Sequence, residues 1–135
     1  MTTIATTRVF LLLSLVAGHA NASTICVVED SDIGGIRRIE WSDTSGMATV
    51  TDNLNASHSG RVVLQQKHSM NGVKVNVYVK YNKPYYGDDA AEYVIFPSGN
   101  GQFRVIGITY VIRNNDKFLN TLVGNNAVTC TRTSV

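Results

Sequence analysis

Only two histidines follow residue 22, and neither has the neighbours that a catalytic base requires. His58 lies between Ser57 and Ser59, so a base stands beside two hydroxyl groups in the sequence. Adjacent side chains of an extended chain point in opposite directions, so this spacing does not favour a Ser-His catalytic pair. His68 falls near the end of a predicted strand, where a hydrogen-bonded, half-buried structural role is the simpler interpretation.

Two short acidic groups, Asp30-x-Asp32 and Asp88-Asp89, offer oxygen ligands of the kind that calcium prefers. Neither group has the length or the glycine placement of a calcium-binding loop. Glycoside hydrolysis would need two carboxylates that face each other across a cleft, and most acids here fall in turns. We therefore predict no catalytic residue, no metal and no cofactor, and keep a small carboxylate-dependent hydrolase as an alternative.

Residues 81–89 differ in character, because they combine three tyrosines with a lysine, a proline and two aspartates. Tyrosine is enriched at protein interfaces, since it buries a large area and keeps a polar tip. A packed structural corner is the other interpretation of the same segment. For the functional interpretation, a protein-binding loop, the candidate contact residues are Lys83, Tyr85, Tyr86, Asp88 and Asp89.

The elements that must position these residues are strands, and residues 61–81 carry the clearest pattern. Asn71-Gly72 favours a two-residue type I′ turn, and hence one hairpin folded about it. This turn predicts a register in which Gln66 faces Val77 and Leu64 faces Val79. Alternation with polar residues predicts one buried face, made of Val73, Val75, Val77, Val79 and Tyr81.

Turn signals divide the rest of the chain into short extended segments, and no helical periodicity follows residue 22. Pro84 and Gly87 are expected to end one strand, which leaves residues 82–89 as a long connector. A short strand is expected at residues 93–96, followed by a glycine-rich turn at residues 97–101. The pattern predicts an all-β domain, a small antiparallel meander of about eight strands that forms a closed barrel or a sandwich.

The first 22 residues are typical of a signal peptide. Arg8 precedes a short apolar run, and Ala20-Asn21-Ala22 matches a small-residue cleavage site. We expect residues 23–135 to form a single domain without membrane insertion, exported to the periplasm of a Gram-negative bacterium or secreted. The net charge of +2 gives no reason to expect a nucleic-acid partner, because such proteins concentrate positive charge.

The expected export determines the oxidation state predicted for the two cysteines, Cys26 and Cys130, which lie near the two ends of the predicted domain. In an oxidising compartment a disulfide is the expected state of two such thiols. The bridge requires the first and last strands to be neighbours, as they are when a meander closes into a barrel.

The segment Ser98-Gly99-Asn100-Gly101-Gln102-Phe103-Arg104, taken with the early and late cysteines, resembles the membrane-bound and periplasmic inhibitors of C-type lysozyme. Those proteins are small exported antiparallel barrels in which a loop of the type S-G-S-G-A-R-Y enters the lysozyme cleft. Three residues match that loop: Ser98, Gly99 and Gly101. The resemblance implies that Ser98, Gly99, Asn100 and Gly101 contact a lysozyme-like enzyme.

These observations lead to one functional expectation and two alternatives. We expect an exported domain that binds and blocks a protein partner, as an inhibitor or immunity protein against a cell-wall-degrading enzyme or a toxin of rival bacteria. A small secreted hydrolase is the first alternative. A structural or adhesive cell-surface subunit is the second, although ends tied by a disulfide do not favour strand donation between subunits.

Overall fold

The computed structural model describes residues 22–29, 35–68, 70 and 72–133, and all regular structure among them is β-strand. Each strand pairs antiparallel with the next, and the first also pairs with the last, so that one sheet closes into a barrel. The strands are β1 Ser23–Val28, β2 Ile36–Ser42, β3 Met47–Asp52, β4 Ser57–His68, β5 Gly72–Tyr85, β6 Asp88–Gly99, β7 Gln102–Arg113 and β8 Asp116–Thr133. The predicted antiparallel meander of eight strands is confirmed.

Some of the predicted features lie outside the described residues. The signal peptide, apart from Ala22, is one of them, and so are Asn71 and the Asp30-x-Asp32 group. In the part of the chain that the structure describes, no helix is long and apolar enough to cross a membrane.

The predicted disulfide joins the strands that close the barrel. Cys26 on β1 lies directly opposite Cys130 on β8, and the two sulfur atoms are bonded. Cys26 is completely buried, so the bridge forms part of the core. The cysteines stand 104 residues apart in the chain, and the bond therefore closes a loop that includes every strand.

Inward-facing side chains of alternating strand residues form the core of the barrel. Val75, Val77 and Val79 are at most 5% exposed, which confirms the predicted buried face of β5. Val73 on the same face is 44% exposed, because it lies at the mouth of the barrel. The other large, fully buried apolar side chains include Ile36, Ile39, Val50, Ile95 and Val105.

The predicted register between β4 and β5 is wrong. Val62 lies opposite Val77, where the prediction placed Gln66, and a bulge lies between Val62 and Leu64. Gly72 is paired with His68 and belongs to β5, so it is not in the turn. The observed register puts an apolar side chain opposite Val77 inside the barrel, and burial of that side chain outweighs the preference of Asn-Gly for a two-residue turn.

Two-residue turns do occur at three other places, and in each of them both residues have positive φ. They are Tyr86-Gly87, Asn100-Gly101 and Asn114-Asn115. Positive φ at both positions is the property of a type I′ turn, which suits the twist of paired strands. The Asn-Gly signal was therefore informative at residue 100, where β6 runs through Pro97 as far as Gly99 before the chain turns. The expected short strand at residues 93–96 is part of this 12-residue strand.

Because every connection joins neighbouring strands, the turns collect at two ends of the barrel. One end carries turns 53–56, 86–87 and 114–115, and we call it the tyrosine end. The other carries turns 43–46 and 100–101, and we call it the Trp41 end.

Candidate functional site

The predicted tyrosine loop is a strand hairpin. β5 continues through Pro84 to Tyr85, which pairs with Asp88 across the two-residue turn Tyr86-Gly87. The prediction that proline ends the strand is wrong, because pairing is irregular between Lys80 and Tyr85 and no ladder hydrogen bond is required of Pro84.

Tyr86 occupies an unusual position at the tip of this hairpin. Its φ is 49°, a region that favours glycine and asparagine and that strains larger side chains. Its side chain is nevertheless 78% exposed, and the ring stands edge-on to Tyr85 with the centroids 4.6 Å apart. A large aromatic residue is thus held in solvent by a conformation that asparagine would adopt more readily.

Beneath the tip, Tyr85 is fixed to a buried carboxylate, Asp52, which is only 1% exposed. The Tyr85 hydroxyl donates to Asp52 Oδ2 over 2.9 Å, and His58 Nε2 lies 3.1 Å from the same oxygen. Asp52 Oδ1 accepts the backbone N–H groups of Leu54 and Ala56, both at 2.9 Å. One carboxylate therefore links turn 53–56, β4 and β5.

The surroundings of Asp52 also set its acidity. Burial raises the pKa of the carboxyl group, but the hydrogen bonds from His58, Ala56, Tyr85 and Leu54 lower it by more, so that the net shift is downward. Burial raises the pKa of Tyr85 well above its ordinary value, and the hydrogen bond to Asp52 adds to this rise. Asp52 is thus held ionised and Tyr85 neutral across the physiological pH range.

An aromatic cluster completes the support. The ring of His58 packs edge-on against Tyr81 and Tyr85, at centroid distances of 5.2 Å and 4.8 Å. The Tyr81 and Tyr93 hydroxyls are 3.5 Å apart, and burial is the main cause that raises the pKa of both phenols. These contacts give Tyr85 little freedom to move, so Tyr86 stands on a rigid base.

A cavity of about 480 Å³ opens beside this cluster at the tyrosine end. Leu54, which is 77% exposed, stands on its rim, as does Tyr86. The wall combines aromatic rings with amide and hydroxyl groups, and includes Tyr81, Tyr85, Asp88, Tyr93, Asn120 and Thr121. The site thus combines polar groups with an aromatic centre.

Of the other predicted contact residues on this hairpin, one is exposed and two form hydrogen bonds within the protein. Lys83 is exposed on the hairpin arm. Asp88 accepts a hydrogen bond from Asn120 over 2.6 Å at the cavity wall. Asp89 accepts the backbone N–H of Ile112 and forms an ion pair with Arg113, so it joins β6 to β7.

The structure does not bring Ser98, Gly99, Asn100 and Gly101 near the tyrosines. They lie at the Trp41 end, whereas Tyr86 lies at the tyrosine end, and β6 connects the two turns. With 12 residues in β6, the turns are separated by about 36 Å by rise alone. The tyrosine hairpin and the Ser/Gly turn are therefore separate candidate surfaces.

Sequence reasoning missed the pairing of Asp52 with His58 and Tyr85. Asp52 is not among the residues that the sequence singles out, because only strand pairing places it against residues 6 and 33 positions away. Residues 57–59 lie in β4, where Ser57 and Ser59 are exposed and His58 is half-buried, so the histidine and the two serines point to opposite faces of the strand. Among the described residues, no group of three or more histidines, cysteines and acids is arranged to hold a metal ion.

Comparison with known proteins adds no assignment. No protein-family model matches the chain, and neither a curated protein nor a solved structure is significantly similar to it.

Proposed function

We propose that this protein is an exported binding domain that attaches to a protein partner through the tyrosine end and blocks that partner. The single observation that carries the proposal is Tyr86, a strained and highly exposed aromatic residue at the tip of a rigid hairpin. Backbone strain is typical of functional sites, and an exposed tyrosine on a rigid support loses little entropy when it binds.

The surface around Tyr86 supports a protein partner. Tyrosine is among the residues that most often dominate the energy of protein interfaces. Leu54 adds apolar area on the neighbouring turn, and Lys83 on the hairpin arm and Asp88 at the cavity wall add charges of both signs. An apolar centre with a mixed polar rim is the common anatomy of such interfaces.

The partner class that we propose is a cell-wall-degrading enzyme or a toxin of rival bacteria, met in the periplasm. A small disulfide-tied barrel suits an oxidising compartment. In this role the protein acts by occupying the partner's surface and needs no catalytic group of its own.

The decisive variant is Tyr86→Asn, since asparagine before Gly87 is the preferred type I′ sequence. It removes the aromatic ring and relieves the turn, so stability should be unchanged or higher. Met47→Ala is the control, because Met47 is 64% exposed on β3, next to turn 43–46 at the Trp41 end. Both variants and the wild-type protein are immobilised and incubated with periplasmic extract and with supernatants of competing bacteria, and captured proteins are quantified by mass spectrometry.

We expect a wall-degrading protein that the wild type and Met47→Ala capture and that Tyr86→Asn loses. With that partner purified, Tyr86→Asn should weaken binding by about 2 kcal/mol or more, and the wild-type protein should lower its lytic activity. Equal capture by all three proteins would contradict the proposal. Wall hydrolysis by the protein alone would favour the hydrolase alternative, and assembly with copies of itself would favour the structural one.

The second candidate site is the Ser/Gly turn, as the resemblance to C-type lysozyme inhibitors implies. It is supported by three consecutive residues with positive φ, Gly99, Asn100 and Gly101, of which the last two are exposed. Ser98→Ala with Asn100→Gly removes both polar side chains and keeps the turn. If this site is used, the double variant abolishes inhibition of a C-type lysozyme while Tyr86→Asn retains it. Absence of inhibition by the wild-type protein would exclude this candidate.

A further inference from the structure

A second cavity, of about 400 Å³, opens at the Trp41 end, away from the tyrosines. Its walls come from every strand except β3, so it lies on the barrel axis. The lining side chains used below are Thr24, Trp41, Gln65, Val73, Phe103 and Arg132. We propose that this cavity is a binding site for a small, neutral, mainly apolar molecule.

The inner part of the cavity is apolar. Trp41, Val75 and Ile95 are each at most 5% exposed, and all three border the cavity. Phe103 and Val73 continue the apolar wall toward the mouth, where Val73 is 44% exposed although it lies on the inward face of β5. Eight-stranded barrels are just wide enough to hold one small ligand, and this volume lies within the usual range of small-molecule sites.

The rim of the cavity carries charges that cancel each other. Arg132 Nε donates to Asp43 Oδ2 over 3.0 Å, and Thr24 Oγ1 donates to Asp43 Oδ1 over 2.9 Å. Since the guanidinium group already has a carboxylate partner, the mouth favours neither an anion nor a cation. The amide of Gln65 and the hydroxyl of Thr24 can each hydrogen-bond one polar group of a neutral ligand.

The cavity is held open by covalent and hydrogen-bonded structure. Cys130 is part of the wall, and its bond to Cys26 fixes β8 to β1 at this level. The Arg132, Asp43 and Thr24 contacts join β8, the β2–β3 turn and β1 on the same side. A wall fixed in this way cannot collapse, so its apolar surface stays available to a ligand.

Trp41 is the only tryptophan of the chain, so the site contains its own reporter. The probe is N-phenyl-1-naphthylamine, a neutral apolar fluorophore that accepts energy from tryptophan. We expect saturable quenching of Trp41 emission at one probe per chain. Val73→Phe should narrow the mouth and weaken binding at least ten-fold. Leu122→Ala on the exposed outer surface should leave binding unchanged.

Charge selectivity is tested by displacement with three compounds of one shape. Benzyl alcohol should displace the probe at a concentration at least ten-fold lower than benzoate or benzylammonium. Quenching that does not saturate, or that Val73→Phe leaves unaltered, overturns the site, and preference for a charged competitor overturns the ligand class. If Val73→Phe does not fold, as judged by circular dichroism, Gln65→Phe replaces it in the experiment. Gln65 is exposed on β4, and a phenylalanine there covers the mouth of the cavity. Quenching that Gln65→Phe leaves unaltered then overturns the site.

Discussion

At the scale of single residues, Asp52 is the side chain that links a turn and two strands by hydrogen bonds at the tyrosine end. Its two oxygens hold turn 53–56 through Leu54 and Ala56, and hold β4 and β5 through His58 and Tyr85. Tyr86, which we propose as the main contact residue, packs against this network through the ring of Tyr85. Support and contact are thus carried by different residues and can be changed separately.

Asp52→Asn should destabilise the protein and alter its response to acid. The pKa of Asp52 is lowered on folding, so its contribution to stability is present above the unfolded value of about 3.9 and is lost as the pH falls through the folded value. We expect Asp52→Asn to reduce the free energy of unfolding at neutral pH by about 1–3 kcal/mol, since an amide cannot accept every bond made to the carboxylate.

The measurement is urea denaturation from pH 7 to pH 3, with Asp116→Asn as a control that removes an exposed carboxylate next to turn 114–115. The wild type and the control should lose stability toward low pH more steeply than Asp52→Asn. Parallel curves for all three proteins would show that Asp52 does not gain stability from being ionised.

At the scale of elements, the reason for glycine at position 72 differs between the sequence and the structure. The sequence suggested a turn with positive φ, but Gly72 lies in β5, and a Cβ placed there would stand 2.7 Å from Cγ of Pro97 on β6. Pro97 is buried and its ring is stiff, so it cannot move aside easily. We expect Gly72→Ala to cost about 1–3 kcal/mol of stability through overpacking.

A double-mutant cycle with Pro97→Ala tests this contact. If overpacking is the cause, Gly72→Ala should cost clearly less in the Pro97→Ala background, because the opposing ring atoms are gone. The free energies of unfolding come from denaturant titration of the four proteins. An equal cost in both backgrounds would show that contact with Pro97 is not the reason for glycine at this position.

The elements also show how far the sequence can be interpreted alone. Turn signals predicted the strand number, and alternation predicted the buried face of β5, because both are local properties of the sequence. The register did not follow, since the bulge near Leu64 and the placement of Val62 opposite Val77 depend on partner strands. The same holds for the candidate site. Tyr86 could be chosen from the sequence because tyrosine is common at interfaces, whereas the contact of Asp52 with Tyr85 forms only when the strands pair.

At the scale of the whole molecule, the barrel is closed by the β1–β8 pairing, and the Cys26–Cys130 bond lies within it. β1 has only six residues. A bond that closes a loop of 104 residues restricts the unfolded chain strongly, by up to about 4.7 kcal/mol in the chain-entropy model. The disulfide therefore stabilises the complete barrel and the seam that the Trp41 end depends on.

Replacing Cys26 and Cys130 together by serine should lower the free energy of unfolding by about 2–5 kcal/mol. It should also affect the two ends unequally, because Cys130 lines the cavity beside Trp41 whereas the Asp52 network lies at the tyrosine end on β3, β4 and β5. Hydrogen exchange should show faster opening of β1 and the adjoining part of β8, while amides 54 and 56, bonded to Asp52, stay protected. Uniformly faster exchange at both ends would mean that the barrel opens as one unit, and that the disulfide supports the tyrosine hairpin as much as the cavity.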